Sequence, residues 1–337
     1  MRPLAVLLLL SVLASGCTDQ PDTRPDAPEP QVEETRGSQE VPAPPPASSE
    51  TEVLDRVRRA VEAARAEEPI PEATAPSVAN LKKDYSTGGG CPAFYRSDGG
   101  WDLCARGDVD GGRTLVVIGD SHARQWGSPL DLLAEQEGFA AYHLVRLGCP
   151  SAGVTPWLNK GDGPNLVCEQ FHAWTEEQVR ALRPDVVVLA TSFNPNGYVV
   201  DGAQVLDATE RLRLLGEGMA RLIGRLGPDA GRVVVIGDPP AVQLSPAKCL
   251  LRPRYTLEDC AAPGSDLSLA AIEAVRGAAS EAGATYVSTA EWFCLDNYCP
   301  TVLGELLSYR DQNHVSDTYA RYLTEVLGQR LGLRPKP

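Results

Sequence analysis

The chain has 337 residues, with 45 acidic side chains against 31 basic ones and a formal net charge of −14. With no basic patch interleaved with aromatics, that balance excludes capture of nucleic acid by electrostatic steering. An apolar share of 43% suits a globular core, and the length allows one large domain or two ordinary ones.

Residues 1–16 run from Met1-Arg2-Pro3 through a short apolar stretch to Ala14-Ser15-Gly16. One positive residue, an apolar run too short to span a bilayer and small residues before a cut site describe a secretory signal. Cys17 follows at the place where a bacterial lipobox, which this junction resembles, carries its lipidated cysteine; Ala14 stands where leucine is commoner. Lipidation of Cys17 and a membrane contact through that lipid are therefore expected, with plain signal cleavage as the alternative. From Thr18 to about Ser48 the chain is rich in proline and carboxylates and poor in large apolar residues, so it is expected to be a disordered tether. Ser49-Glu50-Thr51-Glu52 reads as a capping box. Val53, Leu54, Val57, Ala60, Val61 and Ala64 recur at helical spacing, which predicts an amphipathic helix over residues 50–67. Residues 17–80 thus form a lipidated tether and helix ahead of a domain over 85–335.

Within that domain, apolar runs predict strands at 115–119, 139–146, 186–192, 232–238 and 284–289. Helical patterns lie at 123–136, 174–182, 207–226, 266–281 and 316–332. Short apolar runs alternating with helices predict an α/β fold, a buried parallel sheet of about five strands covered on both faces.

Two stretches carry chemistry. Leu115-Val-Val-Ile-Gly-Asp-Ser-His-Ala123 reads as a strand, a tight turn and a helix start, which exposes the Ser121 hydroxyl at the carboxyl end of a strand. Near the far end, Asp311-Gln-Asn-His314 offers an imidazole with a carboxylate three residues before it. A serine nucleophile needs such a base, and the base needs a group to orient it. Ser121 is therefore the candidate nucleophile, His314 the base and Asp311 its orienting carboxylate. Only four histidines compete for that role. Asp120 is expected to shape the turn, Gly237-Asp238-Pro239-Pro240 to be only a turn, and Trp126 and Tyr198 to be core residues.

These blocks resemble the SGNH hydrolase superfamily, with its early Gly-Asp-Ser and late Asp-x-x-His. The likeness is closest to the SGNH domains that follow the membrane span of acyltransferase-3 proteins, which read Gly-Asp-Ser-His-Ala, then Gly-Cys-Pro, then Asp-x-x-His-hydrophobic-Ser. Here the counterparts are Gly119–Ala123, Gly148-Cys149-Pro150 and Asp311–Ser316. The resemblance implies a three-layer, flavodoxin-like fold and an exported serine esterase or O-acyltransferase acting on acylated carbohydrate or an envelope glycan. It implies no cofactor and no metal. The multi-span half of those relatives is missing from this chain, so a separate membrane acyltransferase is a candidate partner. The Ser121 amide and Gly148 are candidate oxyanion donors. The family's Gly-x-Asn-Asp block is broken here, reading Ala190-Thr-Ser-Phe-Asn194-Pro-Asn196, and Asn194 is the nearest amide. His122 is left between packing and contact with the acyl group. A glycan-binding protein that keeps the fold without turnover is the alternative.

Beyond Cys17 there are eight cysteines, an even number in a chain read as exported, which argues for disulfides among 105 formal connectivities. Sequence neighbours pair off as Cys91–Cys104, Cys149–Cys168, Cys249–Cys260 and Cys294–Cys299. A zinc site is disfavoured because no pair of Cys-x-x-Cys units is present.

Overall fold

The computed structural model describes residues 39–87, 101–158 and 163–334. Residues 1–16, Cys17, most of the tether and Cys91 lie outside the described residues. At the centre is a six-stranded sheet. Its strands are β1 (Ala105–Gly107), β2 (Arg113–Gly119), β3 (Phe139–Val145), β4 (Val186–Ala190), β5 (Val233–Ile236) and β6 (Thr285–Val287). They lie in the order β6-β5-β4-β2-β3-β1. The five strands expected from the apolar runs are parallel to one another, with Leu115 opposite Val186 and Val117 opposite His143. The expectation of a purely parallel sheet is corrected at its edge, where the short strand β1 runs antiparallel to β3.

The strand β2 shows why the sheet needs cover on both faces. Successive side chains of a strand point to opposite sides. Leu115 and Val117 enter one core with Leu130, Leu133 and Leu327, whereas Val116 and Ile118 enter the other with Leu215, Met219 and Val275. Burying one leucine or valine fully is worth ~1.5–3 kcal/mol, so an unbroken apolar strand is stable only between two layers of helices.

Besides a short helix at Pro246–Leu250, the helices of the described residues are α1 (Glu50–Arg65), α2 (Ser121–Arg124), α3 (Gly127–Glu137), α4 (Val167–Leu182), α5 (Ala208–Leu226), α6 (Asp266–Glu281), α7 (Asp317–Tyr322) and α8 (Thr324–Arg330). Two single helices expected from the sequence are each divided. The run 123–136 breaks between α2 and α3 because Pro129, in the first turn of α3, has no amide to bond back to Gln125. The run 316–332 breaks at Leu323, whose amide bonds to both Tyr319 and Ala320. The helix expected from residue 174 starts earlier, at Val167, where the Cys149–Cys168 disulfide holds its first turn. No helix of the described residues is long and apolar enough to cross a membrane.

The amphipathic helix α1 is built into the domain. Ser49 caps it by accepting from the Glu52 amide at 3.3 Å, while the Glu52 carboxylate is reached by the amide of Ser48 rather than of Ser49. Its apolar stripe, Val53, Val57 and Ala60, joins the same core as α3 and α8. Its polar edge is fixed as well, with the Trp292 indole donating to Glu50 and Arg56 donating to Tyr322 and to the Leu303 carbonyl. A charge on that stripe would be buried and unpaired. Val57→Asp is therefore expected to cost roughly 3 kcal/mol or more of stability, read from the shift in the urea midpoint. An unchanged midpoint would show that α1 is not part of the cooperative unit.

Three of the four expected disulfides lie among the described residues: Cys149–Cys168, Cys249–Cys260 and Cys294–Cys299. Cys104 is also disulfide-bonded, and its expected partner Cys91 lies outside the described residues.

Candidate active site

Ser121 sits where β2 ends against the start of α2. The turn is possible because Gly119 has no side chain: a Cβ there would lie 2.0 Å from the Ala190 carbonyl oxygen of the neighbouring strand β4. Asp120 caps α2, one carboxylate oxygen accepting from the His122 amide at 2.8 Å and the other from the Ser192 amide at 3.0 Å, with the Ser192 hydroxyl also bonded to it. Asp120 thus ties the serine turn to the loop after β4, as expected of a turn-shaping residue.

His314 and Asp311 come from a loop pinned at several points. Tyr309, fully buried, donates its hydroxyl to the Pro240 carbonyl at 2.8 Å, and the Val315 amide donates to Gln125 at 3.0 Å. Inside the loop, Asp311 Oδ1 accepts from the Asn313 and His314 amides at 3.1 and 2.8 Å. The same carboxylate faces His314 Nδ1 at 2.9 Å, and His314 Nε2 stands 2.9 Å from Ser121 Oγ. With Nδ1 donating to the carboxylate, Nε2 has a free lone pair for the serine hydroxyl. Burial alone would raise the Asp311 carboxyl, but hydrogen bonding to His314, its charge and the two amides outweigh that and hold it down at about 2. The acid therefore stays ionised at any ordinary pH, and Ser121, 193 positions from His314, joins the local acid–imidazole pair in one chain of hydrogen bonds.

A second acid–imidazole pair stands beside the first. His122, 2% exposed, places Nδ1 2.6 Å from Asp238 Oδ1, at the end of β5 two strands away. Burial by itself disfavours the imidazolium. The Asp238 charge and hydrogen bond more than offset it, with smaller help from Asp120 and Asp311, and push His122 up to about 9. The His122 ring lies 4.6 Å from that of His314, centroid to centroid, and its Nε2 is 3.5 Å from the Asn313 side-chain amide. The expectation that Asp238 belongs only to a turn is thus corrected: it holds His122 in an ion pair.

The remaining candidates surround a cleft of about 320 Å³ that contains Ser121, His314, Gly148, Trp157, Asn165 and Asn194 among its walls. Gly148 adopts a left-handed conformation, φ +76°, with open space where a Cβ would be, so its backbone faces the cleft bare. Asn194 lines the cleft too, but its side-chain nitrogen donates to the Trp157 carbonyl at 3.3 Å and its oxygen accepts from the Asn196 amide at 2.8 Å. Those bonds build the loop. Trp126 and Tyr198 are fully enclosed in the core, 1% and 0% exposed. Sequence reasoning missed Asp238 and Asn313. A carboxylate closing a strand next to the serine strand's neighbour was the one available signal for Asp238.

A family model described as "SGNH domain (fused to AT3 domains)" matches residues 86–329. The chain is similar in structure to the periplasmic domain of a lipopolysaccharide acetyltransferase from Salmonella ser. Paratyphi A, at 18% identity over 66% of this chain and 85% of that chain, TM-score 0.49. It is also similar to Est24, a carbohydrate acetylesterase from Sinorhizobium meliloti, at 12% identity over 65% and 98% of the two chains, TM-score 0.40. A third is a catalytic mutant of Axe2, an acetylxylan esterase from Geobacillus stearothermophilus, at 16% identity over 66% and 95%, TM-score 0.41. No curated protein matches the chain in sequence.

Proposed function

The chain belongs to the family of SGNH domains that occur fused to AT3 domains, an esterase and acyltransferase fold, and from that premise we propose that it transfers an acyl group from or to a carbohydrate through an ester on Ser121. The single observation behind this reading is the unbroken run Ser121–His314–Asp311, with 2.9 Å at each step.

In the proposed reaction Ser121 Oγ attacks the ester carbonyl while its proton passes to His314 Nε2. The amides of Ser121 and Gly148 are the donors available to the oxyanion that forms. His314 then returns the proton to the departing sugar oxygen as the carbon–oxygen bond breaks, leaving acyl-Ser121. Water or a sugar hydroxyl, deprotonated by the same nitrogen, attacks that ester and frees the serine. Because Asp311 is held near 2, its carboxylate stays ionised and holds the imidazole in place above about pH 3. The polar walls Asn165, Asn196 and Trp157 suit a sugar, which needs hydrogen-bond partners and an aromatic face.

The setting completes the reading. The signal-like residues 1–16 and Cys17 support export and lipid anchoring at the outer face of the cell membrane. There a separate membrane acyltransferase could hand over an acyl group. The test is partition of product. Mature protein given an activated acetyl ester should release acetate, and added oligosaccharide acceptors should divert part of the acyl group to sugar, seen by mass spectrometry. Turnover that releases only acetate at every acceptor concentration would leave hydrolysis as the activity, and no release at all would end the proposal.

A further inference from the structure

A second cavity, of about 190 Å³, adjoins the catalytic cleft, and His122, Phe193, Pro195 and Asn313 form walls of both. The strand order explains where it lies. Ser121 ends β2, Thr191 follows β4, and Ile236 ends β5, so the cavity opens along the same carboxyl edge of the sheet on the side away from β3. Its far wall is apolar, made by Leu215 of α5 and by Ala271, Ile272 and Val275 of α6. His122 and Asp238 contribute the main charges, and they neutralise one another across 2.6 Å.

Its aliphatic wall suits a hydrocarbon better than a sugar, although Thr191, Ser265, Ser268 and Asn313 stand on its other sides. Asn165 and Asn196 line the cleft alone and Leu215, Ala271, Ile272 and Val275 the cavity alone, while Leu147 and Leu158 also border the cleft and Thr191, Ser265 and Ser268 the cavity. An ester bound at Ser121 has two ends of opposite character, a sugar and an acyl chain; the cleft holds Asn165, Asn196 and Trp157 for the first, and the cavity holds the aliphatic wall of α5 and α6 for the second. We propose that this cavity receives the acyl chain, and that the acyl group handled is a saturated chain of about four to six carbons rather than acetyl. The volume has room for roughly six groups the size of a methylene, taking each as comparable to the ~30 Å³ share of a water molecule. The inference rests on the reading of Ser121 as the acyl-bearing nucleophile.

Chain-length selectivity tests it. The mature wild type is given acetyl, butyryl, hexanoyl and decanoyl esters of one phenol, and kcat/KM is measured for each. One methylene in an apolar pocket is worth ~10-fold or more in kcat/KM, so butyryl or hexanoyl should exceed acetyl at least tenfold and decanoyl should fall again. Ala271→Phe, which fills the cavity, should lower the hexanoyl-to-acetyl ratio at least tenfold. Ile272→Ala, which enlarges it and does not overpack the core, should move the optimum to a longer chain. Ser121-dependent hydrolysis with the same chain-length ratios in wild type and both variants would overturn the inference and leave the esterase reading standing. Absence of Ser121-dependent hydrolysis for every ester would remove the esterase reading and this inference with it.

Discussion

Ser121→Ala is expected to lower kcat/KM for an activated ester by at least ~10⁴-fold, with the fold intact. In the proposed reaction the serine hydroxyl is the only one of the three groups that forms a bond to the acyl carbon. Without it the cleft and the amides of Ser121 and Gly148 are left, which can bind the ester and polarise its carbonyl. His314→Ala should cost about as much, because Oγ is a weak nucleophile unless its proton has somewhere to go. The 2.9 Å contact to Nε2 is that route. Residues that act as one unit are strongly non-additive. The double variant should therefore be no slower than either single one, measured with circular dichroism as a control for folding. Losses that multiply would mean that Ser121 and His314 act in separate steps.

The second large effect is on stability, at the pair His122–Asp238. His122 is buried and its imidazole is raised from an ordinary 6.5 to about 9 by Asp238. A group whose folded value lies above its unfolded one favours the folded state while it is protonated. The contribution is complete below about pH 6.5 and is lost as the pH climbs through about 9. A rise of this size corresponds to ~3 kcal/mol at most. Asp238→Asn should thus destabilise the protein at pH 6, by less than that figure because burial disfavours the Asp238 carboxylate and raises its own pKa, measured by urea unfolding. The gap to wild type should narrow between pH 7 and pH 10, where wild-type His122 gives up its proton. Comparing the two proteins at each pH cancels the titration of groups that they share. A gap that stays constant from pH 6 to pH 10 would show that Asp238 supports the site by packing alone.

Much of the fold was legible in the sequence because the parallel strands are buried on both faces. Leu115–Ile118, Val186–Leu189 and Val233–Ile236 are unbroken apolar runs for that reason. The edge strand β1 has no such signature. Ala105-Arg106-Gly107 is short, half exposed and paired on one side only, so neither hydrophobicity nor alternation marks it. Helix α6 was legible over its whole length, with Ser265 accepting from the Ser268 amide at its start. The break after α2 is local and depends on Pro129, whose placement in the first turn of a second helix is as compatible with one helix start as with another.

The arrangement of Ser121, His314 and Asp311 was legible for a different reason. Ser121 and the Asp311–His314 pair each carry a short-range signature, a strand-to-helix turn in one case and an acid three residues before an imidazole in the other. The pair His122–Asp238 has none, since 116 positions separate its members and only the sheet order brings them together. Asn194 is a different case. It occupies the expected loop, but Asn196 and Trp157 engage its side chain, and no pattern of residue types could show which way that amide turns.

The most direct measurement of the central claim, that Ser121 becomes acylated, is intact mass combined with peptide mapping after exposure to a fluorophosphonate. Such a probe reacts with a serine oxygen only where a neighbouring base takes its proton. Wild type should gain one phosphonyl group, located on the peptide containing Ser121, and both Ser121→Ala and His314→Ala should gain none. A folded wild type that turns over esters and yet remains unlabelled, or that carries the label on another residue, would contradict acyl transfer through Ser121.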